Sequence, residues 1–285
     1  MSPILLIGDF TLDLIFDNGS FLPVAGGSVF NVASILRKYD TDVCFVSRVG
    51  NDLPGNLLLN QLEKLGISQN TIYKDDDFRT SVAFSEYDES GKPHYSFYKE
   101  KKDFILPDET ILNKDFSLFH IGSSFAFSQT SFPAVMKLCN LMQERRIPIT
   151  YDINLRKIPS ESEKKRIFDL MNKAQIIKGS DEDFNFLYGT SDKITIRNKI
   201  LSDYNINLGI ITYGKDGAFL FSRSDSCFVK QNKILENVKS IGAGDSFMAG
   251  IILFCMKDFS VVNLDELGRF ANSVAIDFLS SNGSI

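Results

Sequence analysis

Histidine is scarce in this chain. His94 and His120 are the only two in 285 residues, which excludes a histidine-rich metal centre. The four cysteines, Cys44, Cys139, Cys227 and Cys255, have no C-x-x-C spacing and read as reduced, mostly buried thiols of a cytoplasmic protein. No apolar run approaches the roughly 20 residues a membrane helix needs. The first residues carry Asp9 and Asp13 within their apolar stretch and no basic segment, so neither a secretory leader nor a membrane partner is expected. Positive charge is in deficit: 31 Lys and Arg against 36 Asp and Glu leave a net charge of −5. With no basic stripe bearing interleaved aromatics, no nucleic-acid partner is expected. The densest basic cluster, Lys99-Glu100-Lys101-Lys102, reads as a solvated hairpin end. Two phosphate-loop signatures are also missing. There is no G-x-x-x-x-G-K-[ST], and a dinucleotide fingerprint fails because Phe247 stands where its third glycine belongs. Gly122-Ser123-Ser124-Phe125-Ala126 lacks the last glycine of a nucleophile elbow.

What remains is a composition of 44% hydrophobic residues, enough to bury a sizeable core, and 24% charged residues, ordinary for a soluble protein. Short apolar runs at Ile4–Gly8, Val43–Val49, Leu118–Gly122, Ile147–Asp152, Gln175–Lys178 and Leu208–Thr212 read as strands. Amphipathic segments near 28–38, 54–65, 129–145, 161–173, 180–188, 192–202 and 263–280 read as helices. That alternation predicts an α/β fold, a mostly parallel central sheet with helices on both faces. Two stretches break it. Thr11–Leu22 and Ser81–Tyr98 read as strands without helices between them, the second pair joined by the turn sequence Asp88-Glu89-Ser90-Gly91-Lys92-Pro93. They predict a small antiparallel β lid inserted at about 11–22 and 81–98 in a single domain spanning 1–285; a plain surface hairpin is the alternative.

The sharpest local signal lies near the C-terminal end, where Gly242-Ala243-Gly244-Asp245 opens the apolar run Ser246–Phe254. Glycines lacking Cβ atoms let a turn aim successive N–H groups at one point, and the helix dipole adds positive potential there. Such a turn suits phosphate. A carboxylate beside it has an economical task, taking a proton from a hydroxyl that attacks a bound phosphoryl group. The alternative is a plain glycine-rich helix start, with Asp245 a surface acid favoured by the dipole.

Several motifs then fall into one order, and the chain resembles the ribokinase-like (PfkB) carbohydrate kinases over nearly its whole length. Gly8 with Asp13 resembles that family's first strand and sugar-binding acid. Gly26-Gly27-Ser28-Val29-Phe30-Asn31-Val32-Ala33 matches its G-G-x-x-x-N-x-A segment. Gly50–Gly55 matches G-x-D-x-x-G, read as structural, and Asp152-Ile153-Asn154-Leu155-Arg156 matches D-x-N-x-R. Thr212-Tyr213-Gly214-Lys215-Asp216-Gly217 matches the nucleotide loop T-x-G-x-x-G, and Gly242–Asp245 the anion hole and base.

The resemblance implies a sugar kinase that uses ATP and Mg2+, most like the fructokinases, acting on fructose or a related ketose or keto-acid sugar. It assigns Asp245 as base, with Gly242, Ala243 and Gly244 as the anion hole. Asp13, Gly26, Gly27, Asn31, Phe97 and Arg156 would contact sugar. Thr212, Gly214, Gly217 and Asn272 would contact nucleotide. Each has a plain alternative: Asp13 an outward strand acid, Arg156 a surface ion pair, Thr212–Gly217 a hairpin turn, Asn272 a helix-face asparagine. The Tyr95–Tyr98 strand followed by Lys99 resembles a fructokinase lid, through which a homodimer is expected. A nucleoside kinase and a catalytically weak sugar- or nucleotide-binding relative remain as other readings.

Two departures carry consequences. Ser180-Asp181-Glu182-Asp183 stands for the family's N-x-x-E, leaving Asp183 to hold magnesium through water. Lys239-Ser240 replaces the family's D-T before the glycine turn, where an aspartate helps hold potassium, so no K+ requirement is expected.

Overall fold

The computed structural model describes residues 2–17, 19–87, 93–106, 113–231, 242–256 and 263–281. Lys239, Ser240 and the 88–92 turn lie outside them.

Nine strands form the main sheet. In chain order they are β1 (Ile4–Ile7), β4 (Val43–Gly50), β5 (Ile72–Asp75), β8 (Leu118–Gly122), β9 (Ile149–Asp152), β10 (Ile176–Ser180), β11 (Leu208–Thr212), β12 (Ala218–Phe221) and β13 (Ser226–Val229). Their order across the sheet is β13-β12-β11-β10-β9-β8-β1-β4-β5. All pairings from β5 to β11 are parallel, and β12 and β13 add on antiparallel. Successive side chains serve opposite faces, as strand geometry requires. Ile4 and Leu6 join one core with the Ser28–Lys38, Ala243–Cys255 and Leu264–Ser280 helices, while Leu5 and Ile7 join the other with the Phe132–Glu144 and Glu161–Met171 helices. Both faces are therefore covered, and the apolar runs that marked these strands follow from burial on two sides.

Four strands, β2 (Thr11–Asp17), β3 (Ser20–Gly26), β6 (Val82–Tyr87) and β7 (Pro93–Tyr98), make a separate sheet in the order β3-β2-β6-β7. Both hairpins are antiparallel, but β2 and β6 run parallel, so the lid is mixed. The reason is topological. Between the hairpins the chain passes through the main sheet, and β6 re-enters alongside β2 in the same sense.

Asp52 ties this sheet to the main one. It caps the Leu53–Lys64 helix by accepting from Gly55 N at 2.9 Å, and it accepts from Thr80 N at 2.9 Å and Thr80 Oγ1 at 2.6 Å just before β6. Arg48 holds the other leg, donating to the Lys102 and Asp103 carbonyls at 2.9 and 2.8 Å.

Candidate active site

In an open parallel sheet, ligands bind beyond the carboxyl ends of the strands where the strand order reverses. Here the chain departs from β1 to β4 on one side and β8 to β11 on the other, and a cleft of about 650 Å³ opens beyond those ends beneath the lid. Its walls include Asp9 after β1, Ser123 after β8, Asn154 and Arg156 after β9, and Tyr95, Phe97 and Lys99 from the lid. Two of these residues, Ser123 (φ 57°) and Asn154 (φ 42°), hold left-handed backbone conformations without being glycine. Strain of this kind gathers at functional sites. The Gly122–Ala126 stretch, though no nucleophile elbow, is still a strand-to-helix turn at the cleft.

The Ala243–Cys255 helix points its N-terminus into this space. Gly242 caps it with φ 81°, a left-handed conformation that favours glycine. The first N–H groups of any helix have no intrahelical partner, so those of Ala243, Gly244 and Asp245 present donors to an anion. Close packing fixes the helix, since a Cβ on Gly250 would come within 2.7 Å of the Ala271 Cα on the neighbouring helix.

Asp245 stands in the first turn, 6% exposed. Both its oxygens accept hydrogen bonds from the helix at 28–38: Ser28 Oγ donates to Oδ1 and Asn31 Nδ2 to Oδ2, each at 2.7 Å. Ser28 in turn accepts from Asn154 Nδ2 at 3.0 Å. The glycine pair makes this approach feasible. A Cβ on Gly26 would lie 2.3 Å from an Asp13 oxygen, and one on Gly27 (φ 113°) 2.2 Å from the Asp9 carbonyl.

Asp13 reaches the cleft from β2 with Thr11 Oγ1 donating to it at 2.8 Å. Burial raises its pKa to about 6, against the lowering effects of Thr11, Lys99 and Arg156. Opposite stand the aromatic lid residues. Tyr95 and Phe97 stack at 5.4 Å, the Arg156 guanidinium lies 5.2 Å from the Tyr95 ring, and Lys99 pairs with Asp9 at 2.5 Å.

The cleft thus gathers Asp13, Gly27, Asn31, Phe97, Arg156, Gly242 and Asp245 of the expected residues. Gly26, Ala243 and Gly244 adjoin these along the chain, and the remaining expected residues lie elsewhere. Thr212, Gly214 and Gly217 form a turn at the end of β11, closed by Tyr213 N donating to Gly217 O at 2.8 Å. Asn272 is buried on the last helix and donates to the Lys230 carbonyl at 3.3 Å. Asp183 is buried as well, its oxygens accepting from Leu155 N and Ser180 N at 2.7 Å each. Each oxygen keeps a second lone pair, enough for a water. Among the described residues no group of three or more His, Cys, Asp or Glu forms a metal cage. The free lone pairs of Asp183 fit a cation reached through water.

One charged residue escaped the sequence reading. Lys178, on β10, is 4% exposed and its Nζ donates to Asp152 Oδ2 at 2.7 Å. A Cβ on Gly244 would lie 3.6 Å from that ammonium, so the cation sits against the anion-binding turn. Asp152 is fully buried with Oδ1 unpartnered among the described residues, and burial holds its pKa up at about 6 despite Lys178. His120 shares that sheet face; burial, then the Lys178 charge, drives its pKa down to about 3, so it stays neutral. A lysine inside an otherwise apolar parallel strand was the available signal.

Known proteins resemble the chain over nearly its whole length. Residues 4–285 match the model of the pfkB family carbohydrate kinases. The chain is 30% identical over 281 residues to "Probable fructokinase-4" of Arabidopsis thaliana, covering 94% of this chain and 86% of that one. Among solved structures, a double-mutant Vibrio cholerae O395 fructokinase in its fructose-, ADP- and potassium-bound form superposes with a TM-score of 0.85 at 23% identity, covering 98% and 93% of the two chains. Fructokinase with bound ATP from Xylella fastidiosa gives 0.83 at 19% identity, covering 100% and 94%.

Proposed function

The chain belongs to the pfkB family of carbohydrate kinases, ATP-dependent phosphotransferases, and on that premise we propose that it phosphorylates a hydroxyl of fructose or a related ketose or keto-acid sugar. The observation that carries this reading is the Asp245 carboxylate, held by Ser28 and Asn31 at the start of an anion-binding helix and facing a polar cleft under aromatic residues. A small polyhydroxylated acceptor suits walls made of Asp9, Asp13, Asn31 and Asn154. The fructokinase names among the relatives favour a ketohexose.

In this reading Asp245 accepts the proton of the attacking hydroxyl. The Ala243–Asp245 N–H groups and Lys178 stabilise the transferring phosphoryl, since such transfer is mostly positioning and charge neutralisation. The Thr212–Gly217 turn and Asn272 hold the nucleotide. Asp183 would hold magnesium through water, and the ion would supply neutralisation of the phosphate charge. Lid closure keeps water away from the γ-phosphoryl group. A coupled ADP-release screen over ketohexoses, aldopentoses, keto-acid sugars and nucleosides tests the assignment. Ketohexose or keto-acid sugar should give the highest kcat/KM, and preference for a nucleoside would overturn it.

Asp13 gives this reading a pH dependence. Its pKa is raised to about 6, chiefly by burial, so below that pH it takes up a proton and loses acceptor capacity for sugar hydroxyls. KM for the sugar is expected to rise as pH falls through about 6 and to level off above it. Initial rates at varied sugar and saturating ATP from acid to neutral pH test this, and a flat KM removes Asp13 from the sugar site.

Lys239 lies outside the described residues, and its role is argued from sequence alone. Two like charges about 4 Å apart repel by roughly 4 kcal/mol at an effective dielectric of 20, enough to empty a weak monovalent site. Activity is therefore expected to be independent of potassium. Rates in potassium and in a bulky organic cation at equal ionic strength should agree; severalfold activation by potassium sinks the expectation.

The lid's outer face supports a homodimer. Phe16, Phe21, Phe84 and Tyr98 form a run of ring contacts at 5.3–5.5 Å while 36–66% exposed. Contiguous apolar surface of this kind marks an interaction site. Light scattering is expected to give a dimer for the wild type and a monomer for Phe84→Glu. A monomeric wild type at micromolar concentration disproves this.

A further inference from the structure

We propose that Ser28 holds the acceptor's place on Asp245 in the free enzyme and so couples phosphoryl transfer to sugar binding, an inference that rests on Asp245 being the base. Ser28 is the first residue of its helix, half-buried, and part of the cleft wall. Its hydroxyl carries a single hydrogen, and the geometry assigns it to Asp245: Oγ lies 2.7 Å from Oδ1 while its other side accepts from Asn154 Nδ2 at 3.0 Å. An amide donor on one side leaves the serine proton only the carboxylate to point to. Asn154 holds its own side of this chain from a left-handed backbone conformation, φ 42°. The resulting arrangement, a hydroxyl donating to the base at hydrogen-bond distance, is the one a sugar hydroxyl must adopt to surrender its proton.

The two donors on Asp245 are not equivalent. Asn31 is 8% exposed, and its amide is rigid. Its Oδ1 is buried and has no hydrogen-bond partner among the described residues. Ser28 is more exposed and can turn its hydrogen away by rotation about one bond. An arriving sugar hydroxyl therefore replaces Ser28 on Oδ1, while Asn31 stays on Oδ2. Without sugar, the Ser28 hydroxyl stands on Oδ1 where the acceptor's would, and a water can take that place only by displacing it. A water held there, next to the γ-phosphoryl of bound ATP, would lose its proton to Asp245 and attack phosphorus. The P–O bond to ADP would break, and inorganic phosphate would leave.

The test compares ADP release with and without saturating ketohexose for wild type, Ser28→Ala, Ser28→Thr and Asp245→Asn. General-base assistance is worth about 10²–10⁴-fold, and a water placed less well than the sugar gains part of it, so the ratio of sugar-free to sugar-dependent release is expected to rise about tenfold in Ser28→Ala. Ser28→Thr, which keeps the hydroxyl, should return the ratio towards wild type. Adding Asp245→Asn to Ser28→Ala should abolish the sugar-free release, because the water needs the base. A ratio unchanged in Ser28→Ala, or raised equally in Ser28→Thr, overturns the proposal. So does phosphate found on Ser28 of the wild type after incubation with ATP alone. If Asp245→Asn turns over sugar like wild type, the base assignment itself has failed; if it loses turnover while the Ser28→Ala ratio is unchanged, only the role of Ser28 has.

Discussion

Replacing Asp245 with Asn is expected to lower kcat by about 10²–10⁴-fold while leaving ATP affinity near the wild-type value. Asn matches the carboxylate in size, and although its NH2 obliges Ser28 or Asn31 to turn an oxygen towards it in place of a hydrogen, the helix start keeps its position and the capacity to take a proton is lost. In the proposed reading ATP meets the N–H groups of the turn, which the substitution does not touch. Steady-state rates with a ketohexose, paired with calorimetric titration of ATP, separate the two effects. An Asn variant within a few-fold of wild type in kcat would remove Asp245 from the chemistry. A large loss of ATP affinity with kcat preserved would make it a binding residue instead.

The second large effect is expected at Lys178. Its ammonium is buried against the glycine turn, where in the proposed reading a fixed positive charge would meet the phosphoryl oxygens in a low-dielectric setting. Loss of one preorganised electrostatic contact of this kind costs about 10²–10³-fold in kcat. Lys178→Met alone confounds two effects, because it strands Asp152, and removing one partner of a buried pair costs about 3–5 kcal/mol of stability. Asp152 accepts from Lys178 at 2.7 Å and has no other side-chain partner among the described residues, so the double variant Lys178→Met/Asp152→Asn removes the stranded charge. The single variant is expected to melt well below wild type. The double variant should recover most of that loss while kcat stays low. If the double variant regains both stability and turnover, Lys178 serves the fold and not the transfer.

The expected strands from Leu118 to Thr212 coincide with β8 to β11 to within two residues, because a strand buried on both faces must be apolar throughout and stands out from amphipathic helices. Edge strands carry no such mark. Ile72–Asp75 alternates buried ends with exposed Tyr73 and Lys74, and Ser226–Val229 is mostly exposed, so neither was legible. The parallel pairing of β2 with β6 was hidden for another reason: it joins segments about seventy residues apart, and no local pattern encodes it.

At the site, the glycine turn and Asp245 could be read because glycine spacing and helix onset are local signals. Ser28 and Asn154 stood inside quoted motifs at positions without an assigned task, and their meaning comes only from the meeting of three chain segments on one carboxylate. Lys178 was concealed as the last residue of an apparent strand end. It became visible once β10 was seen to continue to Ser180, which places the lysine inside the sheet rather than at its rim.

The central claim is phosphoryl transfer from ATP to a sugar hydroxyl with Asp245 as base. Mass spectrometry of a reaction containing fructose and ATP, run in parallel for wild type and Asp245→Asn, tests it most directly. The account predicts a hexose monophosphate formed in equal amount with ADP by the wild type and almost none by the variant. ADP and inorganic phosphate without any phosphorylated acceptor, across fructose and the related ketose and keto-acid sugars, would contradict it.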